Sequence, residues 1–123
     1  MLVTNILQVV VSMGLLNVWL LRFGQATNYR GGQAQNLKEE FAAYGLPVWA
    51  YFVVGGLKVL SAVALILGLW LTPAAFVAAV VVSVLMVGAL LMHLKVRDPL
   101  KKSLPAFLML VMSLGIVFTT SWL

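Results

Sequence analysis

The chain has 123 residues, 63% of them hydrophobic and only 9% charged, with a mean hydropathy of +1.10. A soluble domain of this size needs a polar shell that these residues cannot supply, which leaves an integral membrane protein with room for a single domain over residues 1–123. The net charge of +5 does not point to nucleic acid, because the basic residues collect in short loops between apolar runs, where they set topology and meet anionic headgroups of the lipid bilayer.

Cysteine is absent, which excludes disulfides, thiolate metal sites and thiol-based redox chemistry. One histidine and three acidic residues are too few for a protein-only metal site, so neither a metal nor a cofactor is expected.

About 20 apolar residues at 1.5 Å rise cross about 30 Å of hydrocarbon. The first span runs from Leu2 to Leu21. It lacks a basic n-region and is long enough to cross, so it reads as a span rather than a signal peptide. Asn5, Gln8 and Ser12 cluster on one side of its outer half, whereas Asn17 and Arg22 lie towards the charged face.

The loop Phe23–Leu46 is long, and Gly31-Gly32 makes its early part flexible. In Gln35–Tyr44, Leu37, Phe41 and Tyr44 share one stripe and Lys38, Glu39 and Glu40 surround the other side. This predicts a short amphipathic helix ended by Gly45 and Pro47.

The second span, Val48–Leu71, carries one charge, Lys58. A central lysine costs roughly 2.5–3.5 kcal/mol even on lenient insertion scales, so Lys58 marks a functional site by default. Tyr51, Gly55, Lys58 and Ala62 share its stripe, and the two small residues let a neighbouring helix approach. The second and third spans are nearly continuous in hydropathy. Thr72-Pro73 separates them, Thr72 as an N-cap and Pro73 at the first helical position.

The third span, Ala74–Leu94, carries a stripe through Ala75, Ala79, Ser83 and Met86 that ends near His93. Before the fourth span, Leu104–Leu123, both Asp98-Pro99 and Ser103 with Pro105 offer a start signal, and the sequence leaves the two open.

Charge sets the expected topology. Arg22, Arg30, Lys38, Lys95, Arg97, Lys101 and Lys102 lie in or beside loops one and three, which share a face. The positive-inside rule puts that face in the cytoplasm and both termini outside, in a bacterial inner membrane rather than the endoplasmic reticulum. Trp19 and Trp49 near the charged face, with Trp70 and Trp122 near the other, are expected to form interfacial belts.

Lys58 lies roughly 16 Å along its helix from Pro47 and its side chain reaches back towards the charged face. Its candidate partners there are Glu40, Glu39, Asp98, His93 and Asn17, with Glu40 preferred. The expected polar network is Lys58, His93, Asp98, Glu40, Asn17, Tyr51 and Arg22.

Two stretches carry a resemblance. Glu39-Glu40-Phe41-Ala42-Ala43-Tyr44-Gly45-Leu46-Pro47, followed by Val54-Gly55-Gly56-Leu57-Lys58-Val59-Leu60-Ser61-Ala62, resembles the DoxX-like superfamily of small membrane proteins. Gly88-Ala89-Leu90-Leu91-Met92-His93 followed by Asp98-Pro99-Leu100-Lys101 is similar to the branch that includes the NACHO-type acetylcholine-receptor assembly chaperones. The resemblance runs from about Asn17 to Ala106 and implies an all-α, antiparallel four-helix transmembrane bundle. It also implies an association with thiosulfate:quinone oxidoreductase or oxidative-stress complexes for some members, and an assembly role for the NACHO-like ones. Many DoxX proteins carry an acidic residue where Lys58 stands here, so this chain departs from the family at that position.

The favoured reading is a non-enzymatic accessory or assembly protein that contacts a partner membrane protein, or a second copy of itself, through its helix faces and the amphipathic segment of loop one. The alternative is a polar pocket around Lys58 and His93 that binds a quinone-, lipid- or anion-like molecule, as a subunit of a membrane oxidoreductase. Proton-coupled export by a dimer is a weaker option, because no carboxylate lies within the spans.

Overall fold

A computed structural model describes residues 2–21 and 36–120. Arg22, Arg30, Gly31-Gly32 and Trp122, named above, lie outside the described residues, as does the end of the fourth predicted span.

The described residues form helices and no strands. Helix α1 covers Leu2–Leu16 and continues as a π-helical turn over Asn17–Leu21; α2 covers Leu37–Ala43, α3 Val48–Leu67, α4 Thr72–Lys95 and α5 Leu100–Thr120. Four of these, α1 with its extension to Trp19, α3, α4 and α5, are long and apolar enough to cross a membrane. Their outward side chains are apolar: Leu60, Trp70 and Phe118 are each about two-thirds or more exposed. In water such a surface would aggregate, and in lipid it is the solvated state, so the chain is an integral membrane protein.

Several boundaries differ from those expected. The second span ends at Leu67 instead of Leu71, because Gly68 caps α3 and a tight turn follows. Thr72 lies inside α4, and the cap position falls to Leu71, with Pro73 in the first turn as its fixed φ favours. The fourth span begins at Leu100, four residues early, so Asp98-Pro99 supplies the break and Pro105 is carried inside the first turns of α5.

Helix α1 packs on α3 and α5, α3 on α4, and α4 on α5. The seams are lined by small residues: Ala62, Ala75, Ala78 and Ala79 are all buried, which brings backbones close where lipid offers no hydrophobic drive. The hairpin turn is the tightest point. A β-carbon on Gly68 would stand 2.5 Å from Ala75 Cβ and 2.8 Å from its backbone.

Polar groups in the half of the bundle that holds the start of α1 and the end of α3 are paired across the helices. Gln8 Nε2 donates to the Leu65 carbonyl (3.0 Å), one of the last carbonyls of α3, which has no partner within the helix. Ser12 Oγ donates to the Ala62 carbonyl (2.8 Å) and Thr4 Oγ1 to Thr119 Oγ1 (2.8 Å). Asn5 does not join this group and is exposed. Ser113 Oγ is fully buried and has no hydrogen-bond partner among the described residues. Ser113→Ala is therefore expected to raise stability by about 1 kcal/mol, read as a higher thermal unfolding midpoint in detergent, and a lower midpoint would contradict it.

Candidate functional site

Two helix ends with the same local geometry build the site. At the end of α2, Gly45 takes φ 78°, the Gly45 amide donates to the Ala42 carbonyl (3.0 Å) and the Leu46 amide to the Phe41 carbonyl (3.1 Å). This is a Schellman cap, and glycine suits its left-handed position. At the end of α4, Arg97 takes φ 57°, its amide donates to the Leu94 carbonyl (3.1 Å) and the Asp98 amide to the His93 carbonyl (3.0 Å).

The second cap has the same bonds with arginine in the strained position. The residue beyond it usually makes an apolar contact back to the helix. Here that residue is Asp98, and its carboxylate returns to His93 Nδ1 at 2.8 Å. The backbone turn thus sets the five-residue spacing. Arg97→Gly is expected to raise stability by about 1 kcal/mol by relieving the left-handed conformation, measured as a higher midpoint in thermal unfolding. An unchanged midpoint would mean that the arginine side chain offsets its own strain.

Helix α2 is short, with seven residues, and is held at its start by Asn36. Asn36 Oδ1 accepts from the Glu39 amide (2.8 Å), and Asn36 Nδ2 donates to Glu39 Oε2 (3.0 Å). Asn36 is thus an N-cap whose side chain satisfies one free amide of the first turn and is itself held by the Glu39 carboxylate. At its other end Lys95 Nζ donates to the Tyr44 carbonyl (2.8 Å), a cation at a helix C-terminus. Phe41 and Tyr44 point inward and are buried.

Tyr44 joins the two caps. Its hydroxyl donates to Glu40 Oε1 at 2.7 Å and lies 3.5 Å from His93 Nε2. An ionised carboxylate only accepts, so His93 Nδ1 carries a proton facing Asp98; the Tyr44 proton points at Glu40, so the phenol oxygen faces His93 Nε2 without donating to it. Glu40, Tyr44, His93 and Asp98 therefore form one polar row, extended by Lys102 Nζ at 3.8 Å from Asp98 Oδ1.

Behind this row lies a cavity of about 920 Å³ between the helices, whose polar lining is Asn17, Glu40, Tyr44, Lys58, His93 and Lys102. The rest of its lining is apolar and includes Gly14, Leu85, Met86 and Met109. The volume is at the upper end of the roughly 300–1,000 Å³ of small-molecule sites, and a mostly apolar wall with a few convergent polar groups is their usual build.

Lys58 is half-buried and projects into the cavity. Its Nζ stands 5.4 Å from the centre of the Trp19 ring, a cation–π contact. Among the described residues it makes no hydrogen bond or salt bridge, and Glu40 is the carboxylate that acts on it through space.

Trp19 is placed by the π-helical turn and is buried, not part of an interfacial belt as its position in the sequence suggests. It meets Phe41 at 5.9 Å and Tyr51 at 5.5 Å between ring centres, and it fills the space that Gly55 leaves open. Trp49 and Trp70 are exposed.

Of the residues singled out from the sequence, Lys58, Glu40, His93 and Asn17 line one cavity, and Asp98 is bonded to His93. Tyr51 belongs to the aromatic floor around Trp19, and Arg22 lies outside the described residues. Glu39 is taken up by the Asn36 cap. Sequence reasoning missed Tyr44 and Trp19 as members of the site. The four-residue step from Glu40 to Tyr44 was a usable signal; the π turn that aims Trp19 was not.

Four helices long and apolar enough to cross a membrane, with a cavity between them, define a small helical integral membrane protein. The chain belongs to the DoxX-like family, whose family model matches residues 7–116. Comparisons with curated proteins and with solved structures find no match.

Proposed function

We propose that this DoxX-like protein binds an amphipathic small molecule, with its headgroup among Lys58, Asn17, Tyr44 and His93 and its apolar part between α1, α4 and α5. The observation that supports this most is the cavity itself: about 920 Å³, with a few polar groups in an otherwise apolar lining. The chain's own groups supply donors at Lys58 and Asn17, which suits a quinone-, lipid- or anion-like headgroup. In this reading the four spans cross as an antiparallel bundle, the basic end faces the cytoplasm, and α2 lies over the cavity's polar groups.

The test is Ala89→Phe, which puts a ring into the cavity wall. Wild-type protein extracted into nanodiscs is expected to carry a bound amphiphile in native mass spectrometry, and the variant to lose it while its helicity and unfolding midpoint hold. Wild type and variant with the same bound species, or none in either, would overturn the reading.

A second reading, an assembly factor of the NACHO-type branch, is favoured by the outer face of α3. Gly56 is exposed, and nothing lies within 4 Å of where its β-carbon would be, so the helix presents a notch to a partner's span. Gly56→Leu is expected to abolish recovery of a membrane-protein partner on co-purification while leaving the fold intact; unchanged recovery would remove this reading.

A further inference from the structure

The pocket reading leaves the headgroup's charge open, and the structure bears on it. We propose that the ligand is an anionic amphiphile, one negative headgroup on an alkyl chain, with the headgroup at Lys58 Nζ. This rests on the pocket reading above.

Three observations carry it. First, the Lys58 ammonium faces the cavity with a ring beneath it and, among the described residues, no hydrogen bond or salt bridge. A lysine charge in a low-dielectric site is costly until it is paired, so the vacant side of the ammonium is where an anion gains most.

Second, the acidic groups near it are already engaged. Glu40 accepts from Tyr44 at 2.7 Å, and Asp98 is held by His93 and Lys102. Neither carboxylate is in contact with the ammonium, although Glu40 acts on it through space.

Third, the surrounding field is positive. At this end of the described structure Lys38, Lys58, Lys95, Arg97, Lys101 and Lys102 outnumber Glu39, Glu40 and Asp98, so an anion is drawn in and a cation is repelled. The apolar lining of the cavity, at Gly14, Leu85, Met86 and Met109, then takes the chain.

The headgroup chemistry is shared by a free fatty carboxylate and by an anionic phospholipid, and Trp19 distinguishes them experimentally. Lying under Lys58 and buried from the bilayer, it reports a quencher in the cavity far more than one in the lipid. The measurement uses the full chain with Trp49→Phe, Trp70→Phe and Trp122→Phe, in phosphatidylcholine nanodiscs. The probes are 2-bromohexadecanoate and its methyl ester, whose bromine sits beside the headgroup.

The acid is expected to quench Trp19 with saturation, and the ester to need at least tenfold more. Lys58→Met should abolish that difference and Lys58→Arg restore it. Ala89→Phe gives the baseline from quencher in the bilayer. Adding phosphatidylglycerol to the nanodisc separates the sources: relief of quenching identifies a phospholipid, and no relief a free carboxylate, both in support. Equal quenching by acid and ester, unchanged in Lys58→Met but lost in Ala89→Phe, would overturn the anionic class and leave the pocket standing. Quenching that is no greater than in Ala89→Phe for either probe would remove the pocket reading as well.

Discussion

Asp98→Ala is expected to destabilise the protein by about 1–3 kcal/mol, seen as unfolding at a clearly lower temperature or denaturant fraction in detergent. Both partners of the His93–Asp98 bond are 5% exposed, so removing the carboxylate strands a buried Nδ1 donor. It also takes away a partner of Lys102 and the side chain that closes the turn after α4. The damage should spread to Tyr44, because His93 Nε2 is held opposite the phenol by the same ring. Asp98→Asn keeps an acceptor at the same place and should lose less than Asp98→Ala. Equal unfolding of wild type and Asp98→Ala would show that the bond contributes nothing to the fold.

Gly68→Ala is expected to cost about 1–3 kcal/mol, and Gly68→Leu to yield little folded protein. Most small-to-large changes push on a side chain that can turn away. Here the added carbon meets the Ala75 backbone, and Ala75 is itself fully buried in the seam between α3 and α4. Relief requires the two helices to part at their shared turn. Gly56→Ala is the control: the same change, one helix face away, meets nothing within 4 Å. It should gain the roughly 0.5–1 kcal/mol that a helix-interior glycine costs. A Gly68→Ala protein as stable as wild type would mean the hairpin is looser than its geometry.

The membrane class and the four spans were legible because hydropathy over 20 residues is a strong signal, and lipid forbids unpaired backbone. The boundaries were less so. The tight turn at Gly68 falls within an unbroken apolar run, and its cause, the backbone of Ala75, is a contact and not a pattern. Lys58 stood out as a lone charge; of the residues it was expected to look towards, Glu40, His93 and Asn17 line its cavity, whereas Glu39 and Asp98 do not. Glu40, the preferred salt-bridge partner, lines the same cavity but makes no salt bridge with Lys58 among the described residues. The ring beneath the ammonium was missed because a cation–π contact to Trp19 depends on a π-helical turn that periodicity cannot show. The His93–Asp98 pair was visible as a spacing, whereas the left-handed Arg97 that brings the two together was not.

Helix α2 has seven residues, too few to persist alone in any solvent, since a helix must reach about a dozen before it offsets the loss at its nucleus. Its order is borrowed from what it touches: Lys95 at one end, Trp19 and Tyr51 under Phe41, and His93 beside Tyr44. All of those come from the spans. During synthesis this segment leaves the ribosome before α3 and α4, yet its contacts with Lys95 and His93 wait until α4 is in place. The stretch over the cavity is therefore made early and completed late, and its helicity is a direct report of whether the rest of the chain has assembled.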